Sequence, residues 1–80
     1  MTRRVVYYCK ERKQAEMVMR NTASAYPMLT WSIKWDDRKE RWEVIARASD
    51  DLTEQAILDY IWTTWLAYQE NKLAENYQSN

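Results

Sequence analysis

Cys9 is the strongest nucleophile in this 80-residue sequence, and there is no histidine anywhere to act as its base. A thiol attacks as thiolate, and a neighbouring base or cation normally holds it in that form. Cys9 therefore reads as a small strand residue that packs. Asp36 and Asp37 are the only adjacent carboxylates with a turn-like setting among alternating apolar residues. Two neighbouring carboxylates in a charged turn are ordinarily solvated, so no metal site is expected there. Without histidine and with one cysteine, a zinc site of the usual ligand set and an internal disulfide are both excluded. The sequence has no glycine, which removes phosphate-cradling loops and dinucleotide fingerprints. The expectation is a protein that is not an enzyme and takes no cofactor.

Charge narrows the partners. Twelve basic and twelve acidic side chains cancel. Residues 1–20 carry six basic and two acidic groups, and residues 49–80 carry one and six. This moderate polarity argues against a strongly basic nucleic-acid binder and against an acidic nucleic-acid mimic. Lys10, Arg12 and Lys13 cluster where a helix should begin, and cations there oppose the helix dipole. The cluster reads as a solvated helix end, with an anion-binding surface as the alternative. No signal-like apolar segment and no membrane-length apolar run is visible, so a cytoplasmic setting is expected.

The elements follow from periodicity. Arg3–Lys10 (RRVVYYCK) is β-branched and aromatic, and reads as a strand with apolar residues on both faces. Glu11 to Ala25 reads as a helix on the spacing of Ala15, Val18, Thr22 and Ala25, with Met19 alongside. Pro27 disfavours helical geometry at Tyr26, so the helix stops by Ala25. Trp31, Ile33 and Trp35 then alternate with Ser32 and Lys34, and Trp42, Val44 and Ala46 alternate with Glu43, Ile45 and Arg47. That is a hairpin. Pairing Trp35 with Trp42 sets Ile33 against Val44, Trp31 against Ala46 and Lys34 against Glu43. A slip of one residue would lose every match. With no glycine in the turn, a loop longer than two residues is expected.

The longest apolar run, Leu52–Tyr68, is the second helix. Thr53 is the expected N-cap, with Leu52 and Ile57 as a hydrophobic staple and Asp51 as the alternative cap. Ile57, Leu58, Ile61, Trp65 and Tyr68 fall in a core stripe roughly 100° wide. Trp62, Leu66 and Leu73 widen it to roughly 180°, more than one sheet face needs. The helix is expected to run to Leu73 or Ala74, with residues 75–80 a frayed tail on one small domain spanning 1–80.

The order β-α-β-β-α gives an α+β two-layer sandwich: a three-stranded sheet, order 1-3-2, with both helices on one face. It resembles half of a ferredoxin-like fold, a likeness of topology that implies no function. Trp31, Ile33, Trp35, Trp42, Val44 and Ala46 should lie under the helices. Arg4, Val6, Tyr8, Thr30, Ser32, Lys34, Glu43, Ile45 and Arg47 should form the open face. The surplus apolar surface points to a protein-interaction module, a regulator or inhibitor that binds another protein, with a homodimer as one form of it. Phages and other mobile elements often encode short non-catalytic chains of this kind. The candidate partner-binding residues are Trp62, Leu66 and Leu73 on the helix, and Arg4, Tyr8, Ile45 and Arg47 on the sheet, unless the first helix wraps round to bury Trp62 and Leu66. The alternative is single-stranded nucleic acid on the open sheet, with Tyr8 stacking a base and Arg4, Lys34 and Arg47 near phosphates.

Overall fold

A computed structural model describes the backbone of residues 2–78 and the side chains of residues 2–69. The elements are β1 (Thr2–Cys9), α1 (Arg12–Ala25), β2 (Thr30–Asp36), β3 (Arg41–Ala48) and α2 (Leu52–Gln78). β3 lies between β1 and β2 and is antiparallel to both, giving the order β1-β3-β2. The β2–β3 register pairs Trp31 with Ala46, Ile33 with Val44, Lys34 with Glu43 and Trp35 with Trp42, as alternation predicts. The rings of the last pair are tilted by 58° with their centroids 5.5 Å apart.

The hairpin loop is four residues, Asp37–Glu40. The Asp36 carboxylate accepts the amide N–H groups of Arg38 and Lys39 at 3.0 and 3.3 Å. That side-chain turn substitutes for a glycine-based one. Glu40 closes the loop in the left-handed region at φ 51°, where a Cβ meets the following carbonyl and costs roughly 1–2 kcal/mol.

β1 departs from simple alternation. Val5 pairs with Ile45 but Tyr7 pairs with Val44, so Val6 is an inserted residue, a β-bulge. Arg4 opposite Ala46, and Tyr7 and Cys9 opposite Val44 and Trp42, therefore share the face of those β3 residues. Val6 is buried in the same cluster. Arg4 and Val6 thus lie on the helix-covered face, not the open one. The open face keeps Arg3, Val5 and Tyr8 from β1.

Both helices bury residues against that one face. Ala15 of α1 and Leu58 and Ile61 of α2 join Val6, Cys9, Leu29, Val44, Ala46 and Ala48 in a single core. Yet no Cα of α1 lies within 8 Å of one in α2 among the described residues. α1 contacts all three strands, whereas α2 contacts β1 most and β3 less. Both helices are seated on the sheet, with no close backbone approach to each other.

The helix ends differ from expectation in instructive ways. Asp51, not Thr53, caps α2: its carboxylate accepts the N–H groups of Thr53 and Glu54 at 2.7 and 3.3 Å. Glu54 reaches back to the Ser49 amide at 2.8 Å and also accepts the Ser49 hydroxyl. Leu52 is 82% exposed, so no staple with Ile57 forms. In α1, Ala15 and Thr22 are buried, Val18 and Met19 half-buried, and Ala25 exposed. Tyr26 ends it, donating its N–H to the Thr22 carbonyl at 2.9 Å. α2 is helical through Gln78, past the expected end at Ala74; Ser79 and Asn80 lie outside the described residues.

Glu40→Gly should relieve the left-handed strain, partly offset by glycine's larger unfolded-state entropy. The expected gain is about 0.5–1 kcal/mol, a rise in Tm of about 2–8 °C. A circular-dichroism melt checks it; an unchanged or lower Tm contradicts the strain.

Candidate protein-interaction surface

The residues singled out by sequence do not form one surface. Trp62 is half-buried, and Arg4 of β1 lies over its ring. The Arg4 guanidinium lies 4.7 Å from the Trp62 ring centroid, and its Nη2 meets Asp59 Oδ1 at 3.3 Å. The bulge at Val6 places Arg4 on this side. The pair is partly exposed, so its worth is modest, but a guanidinium over an indole adds about 0.5–1 kcal/mol. Arg4 Nε is buried without a hydrogen-bond partner among the described residues. Leu66 is half-buried. Leu73 lies outside the residues whose side chains are described.

The sheet candidates fare unequally. Ile45 is 2% exposed, flanked by Val5 and Ser32 on the neighbouring strands. Tyr8 is half-buried, with the Arg41 guanidinium 4.1 Å above its ring. Arg41 also holds the buried Glu43 carboxylate, Nη2 to Oε2 at 3.0 Å. Glu43 stands opposite Lys34 as expected, but its ion pair is with Arg41, two residues back on its own strand. Tyr8, Arg41 and Glu43 therefore close one end of the face that the sequence left open. Arg47 remains exposed.

Of the cations at the start of α1, Arg12 is similarly engaged. Arg12 Nε donates to Glu16 Oε1 at 2.9 Å, and the Arg12 guanidinium lies 5.5 Å from the Trp42 ring centroid. Cys9 is buried and its Sγ–H points at the Glu11 carbonyl, 3.7 Å away. Burial pushes its thiol pKa up, which keeps it protonated.

α2 carries an exposed aromatic row that the periodicity argument misplaced. Tyr68, expected in the core stripe, is 55% exposed, and Tyr60 is 64% exposed. The buried line of α2 runs instead through Leu58, Ile61 and Gln69. Tyr60, Thr64 and Tyr68 follow i, i+4, i+8 spacing, which sets them along one line of a helix. Tyr7 and Trp65 stand beside this row, edge to face with centroids 5.6 Å apart. Together Tyr7, Thr64, Trp65 and Tyr68 line a shallow cleft of about 460 Å³. The signal was present in the sequence: tyrosine keeps its hydroxyl in water while its ring lies on apolar surface.

No family model matches this chain, and neither the curated proteins nor the solved structures compared with it contain a match. The reading of the surface rests on its own geometry. No group of acidic, histidine or cysteine side chains suited to a metal ion occurs among the described residues, and no described helix is long and apolar enough to cross a membrane.

Gln69 does the least expected work. Its Nε2 donates to the Tyr8 carbonyl at 2.7 Å, and its Oε1 accepts the Tyr8 amide N–H at 3.2 Å. A side-chain amide thus pairs with the outer edge of β1 as a neighbouring strand would. Gln69→Leu keeps the bulk and leaves both groups without partners, at a cost of about 1–3 kcal/mol. Urea unfolding should show a lower midpoint at unchanged m-value. For Cys9, thiol reagents at neutral pH should react with the folded protein far more slowly than with the urea-unfolded chain. Because burial raises the thiol pKa, its stabilising contribution is present at neutral pH and is lost as pH rises past the unfolded thiol value. Rapid labelling of the native state at pH 7 would contradict the burial.

Proposed function

We propose that this chain is a small non-catalytic interaction module that regulates or inhibits another protein by binding it. The observation that carries the reading is the exposed row Tyr60–Thr64–Tyr68 beside Tyr7 and Trp65. Tyrosine and tryptophan dominate binding hot spots because they bring large area at low side-chain entropy cost. The row sits on a helix fixed by Leu58, Ile61 and the Gln69 clamp, so it is presented rigidly. A pre-organised surface loses less entropy on binding.

The charge distribution supports a protein partner over nucleic acid. The ring of Tyr8 already carries Arg41, and Arg4 lies over Trp62 on the opposite face of the sheet. The surface proposed for binding is on the chain's acidic half, where Asp59 lies among the aromatics. Phosphate contacts call for the reverse sign.

A photo-crosslinking residue at Thr64 should capture a defined partner in cells, while the same probe at exposed Met17 on α1 should not. Tyr68→Ala should weaken binding of that partner about 30-fold, with the fold unchanged by circular dichroism. Equal yields from the two probe positions, or unchanged affinity in Tyr68→Ala, would sink the reading.

A further inference from the structure

The two edges of the sheet are finished differently. At β1, Gln69 occupies the outward-facing N–H and C=O of Tyr8. In an antiparallel pair, a residue points both main-chain groups either toward its partner strand or away from it, and the direction alternates. Tyr8 points away from β3, so its partner Glu43 points its own groups toward β2. Lys34, opposite Glu43, then bonds to β3, as do Ser32 and Asp36 by alternation. Trp31, Ile33 and Trp35 are left with N–H and C=O directed off the sheet. Among the described residues no side chain or loop hydrogen-bonds to those groups. β2 has no proline and no bulge to protect it, and its one basic side chain is the exposed Lys34.

We infer that β2 is a self-association edge, where a second copy of this chain adds its own β2 antiparallel to make a continuous six-stranded sheet. The strand is self-complementary about Ile33. A two-fold axis there pairs Trp31 with Trp35, Ile33 with Ile33 and Trp35 with Trp31, about two hydrogen bonds each. These are the three residues whose main-chain groups point outward. The same register sets Lys34 opposite Ser32 and Asp36 opposite Thr30, so every charge meets a small hydroxyl. Moving the axis to Lys34 would put two ammonium groups face to face, and a one-residue offset would mismatch the hydrogen-bonding groups. Above the edge, Arg12, Glu16, Met19 and Arg20 of α1 form a groove with Trp31 and Ile33. α1 touches all three strands and so sits over the middle one. Its copy would lie three strand spacings away, roughly 14 Å. The axis makes the two helices antiparallel, and Glu16 and Arg20 supply opposite signs for long side chains to meet across that gap. The two-fold uses β2 of both copies, and at the other edge Gln69 takes the groups of Tyr8 while the bulge at Val6 interrupts the strand, a device that disfavours edge pairing.

Ser32 is exposed and on the face away from the helices, so it can be changed without touching the core. Ser32→Glu faces Lys34 of the second copy twice, and Ser32→Lys repeats a like charge twice. Sedimentation over a wide concentration range should show a wild-type dimer, tightened about tenfold by Ser32→Glu and weakened about tenfold by Ser32→Lys. Amide exchange at Trp31, Ile33 and Trp35 should slow as the dimer forms. Two results overturn the inference: a monomer for wild type and Ser32→Glu alike, or a dimer indifferent to both substitutions. A dimer broken instead by Tyr68→Ala also overturns it, by moving self-association to α2. The Ser32 results do not bear on the foreign partner of α2, which the Thr64 probe tests on a different element.

Discussion

One inserted residue in β1 determines which side chains α2 meets. Before Val6, β1 follows one parity against β3; after it, the other. Without the bulge, Arg4 and Tyr7 would point to opposite faces. With it, both point toward α2, where Arg4 covers Trp62 and Tyr7 stands edge-on to Trp65. Val6 itself enters the core. The wide apolar stripe on α2 is thus answered from below by a strand and not from the side by α1. That is why α2 can carry a wide stripe without the backbone of α1 close beside it. It is also why Trp62, the apparent surplus, is half-covered while Tyr60 and Tyr68 are left facing solvent.

A small domain has little apolar area to spare, and buried polar groups left unpaired would erase its margin. This chain answers with side chains that imitate backbone. Asp36 makes a turn without glycine, Asp51 supplies acceptors to the first turn of α2, and Gln69 stands in for a strand neighbour of β1. The same logic makes the bare main chain of β2 conspicuous. An edge that faces water satisfies its groups there, and on β2 the exposed Lys34 is the charge that stands against pairing with another strand.

The hairpin and the helix positions were legible in the sequence from their periods, and the strand order from the handedness of the crossover through α1. Trp31–Trp35 alternates strictly and Trp42–Ala46 does so apart from Ile45, and the register that pairs Trp35 with Trp42 matches both. The faces of β1 were not legible. Its run of Arg3 to Cys9 is apolar on both sides, so alternation carries no information and an inserted residue leaves no mark. The cap of α2 was ambiguous because Asp51 and Thr53 are both good acceptors within one turn, and the carboxylate prevailed. Tyr68 was misplaced because a hydrophobicity argument counts its ring and ignores its hydroxyl.

The candidate surfaces were harder still, since a binding surface is defined by what the fold fails to cover. Arg4, Tyr8 and Ile45 looked available only while the bulge and the Arg41 clamp were unknown. Once these are placed, the sheet loses most of its open apolar area and the exposed aromatics concentrate on α2. The edge without a bulge or a side-chain clamp is β2. These features lie on different elements, because α2 follows the β1 side of the sheet and β2 is the far edge. A two-fold pair through β2 would leave both α2 rows free at the outer flanks. Linked binding sites raise avidity when a target offers two epitopes at the matching separation. Self-association and capture of a foreign protein are therefore compatible in this fold, and the separation of the two surfaces by the whole width of the sheet is what makes them so.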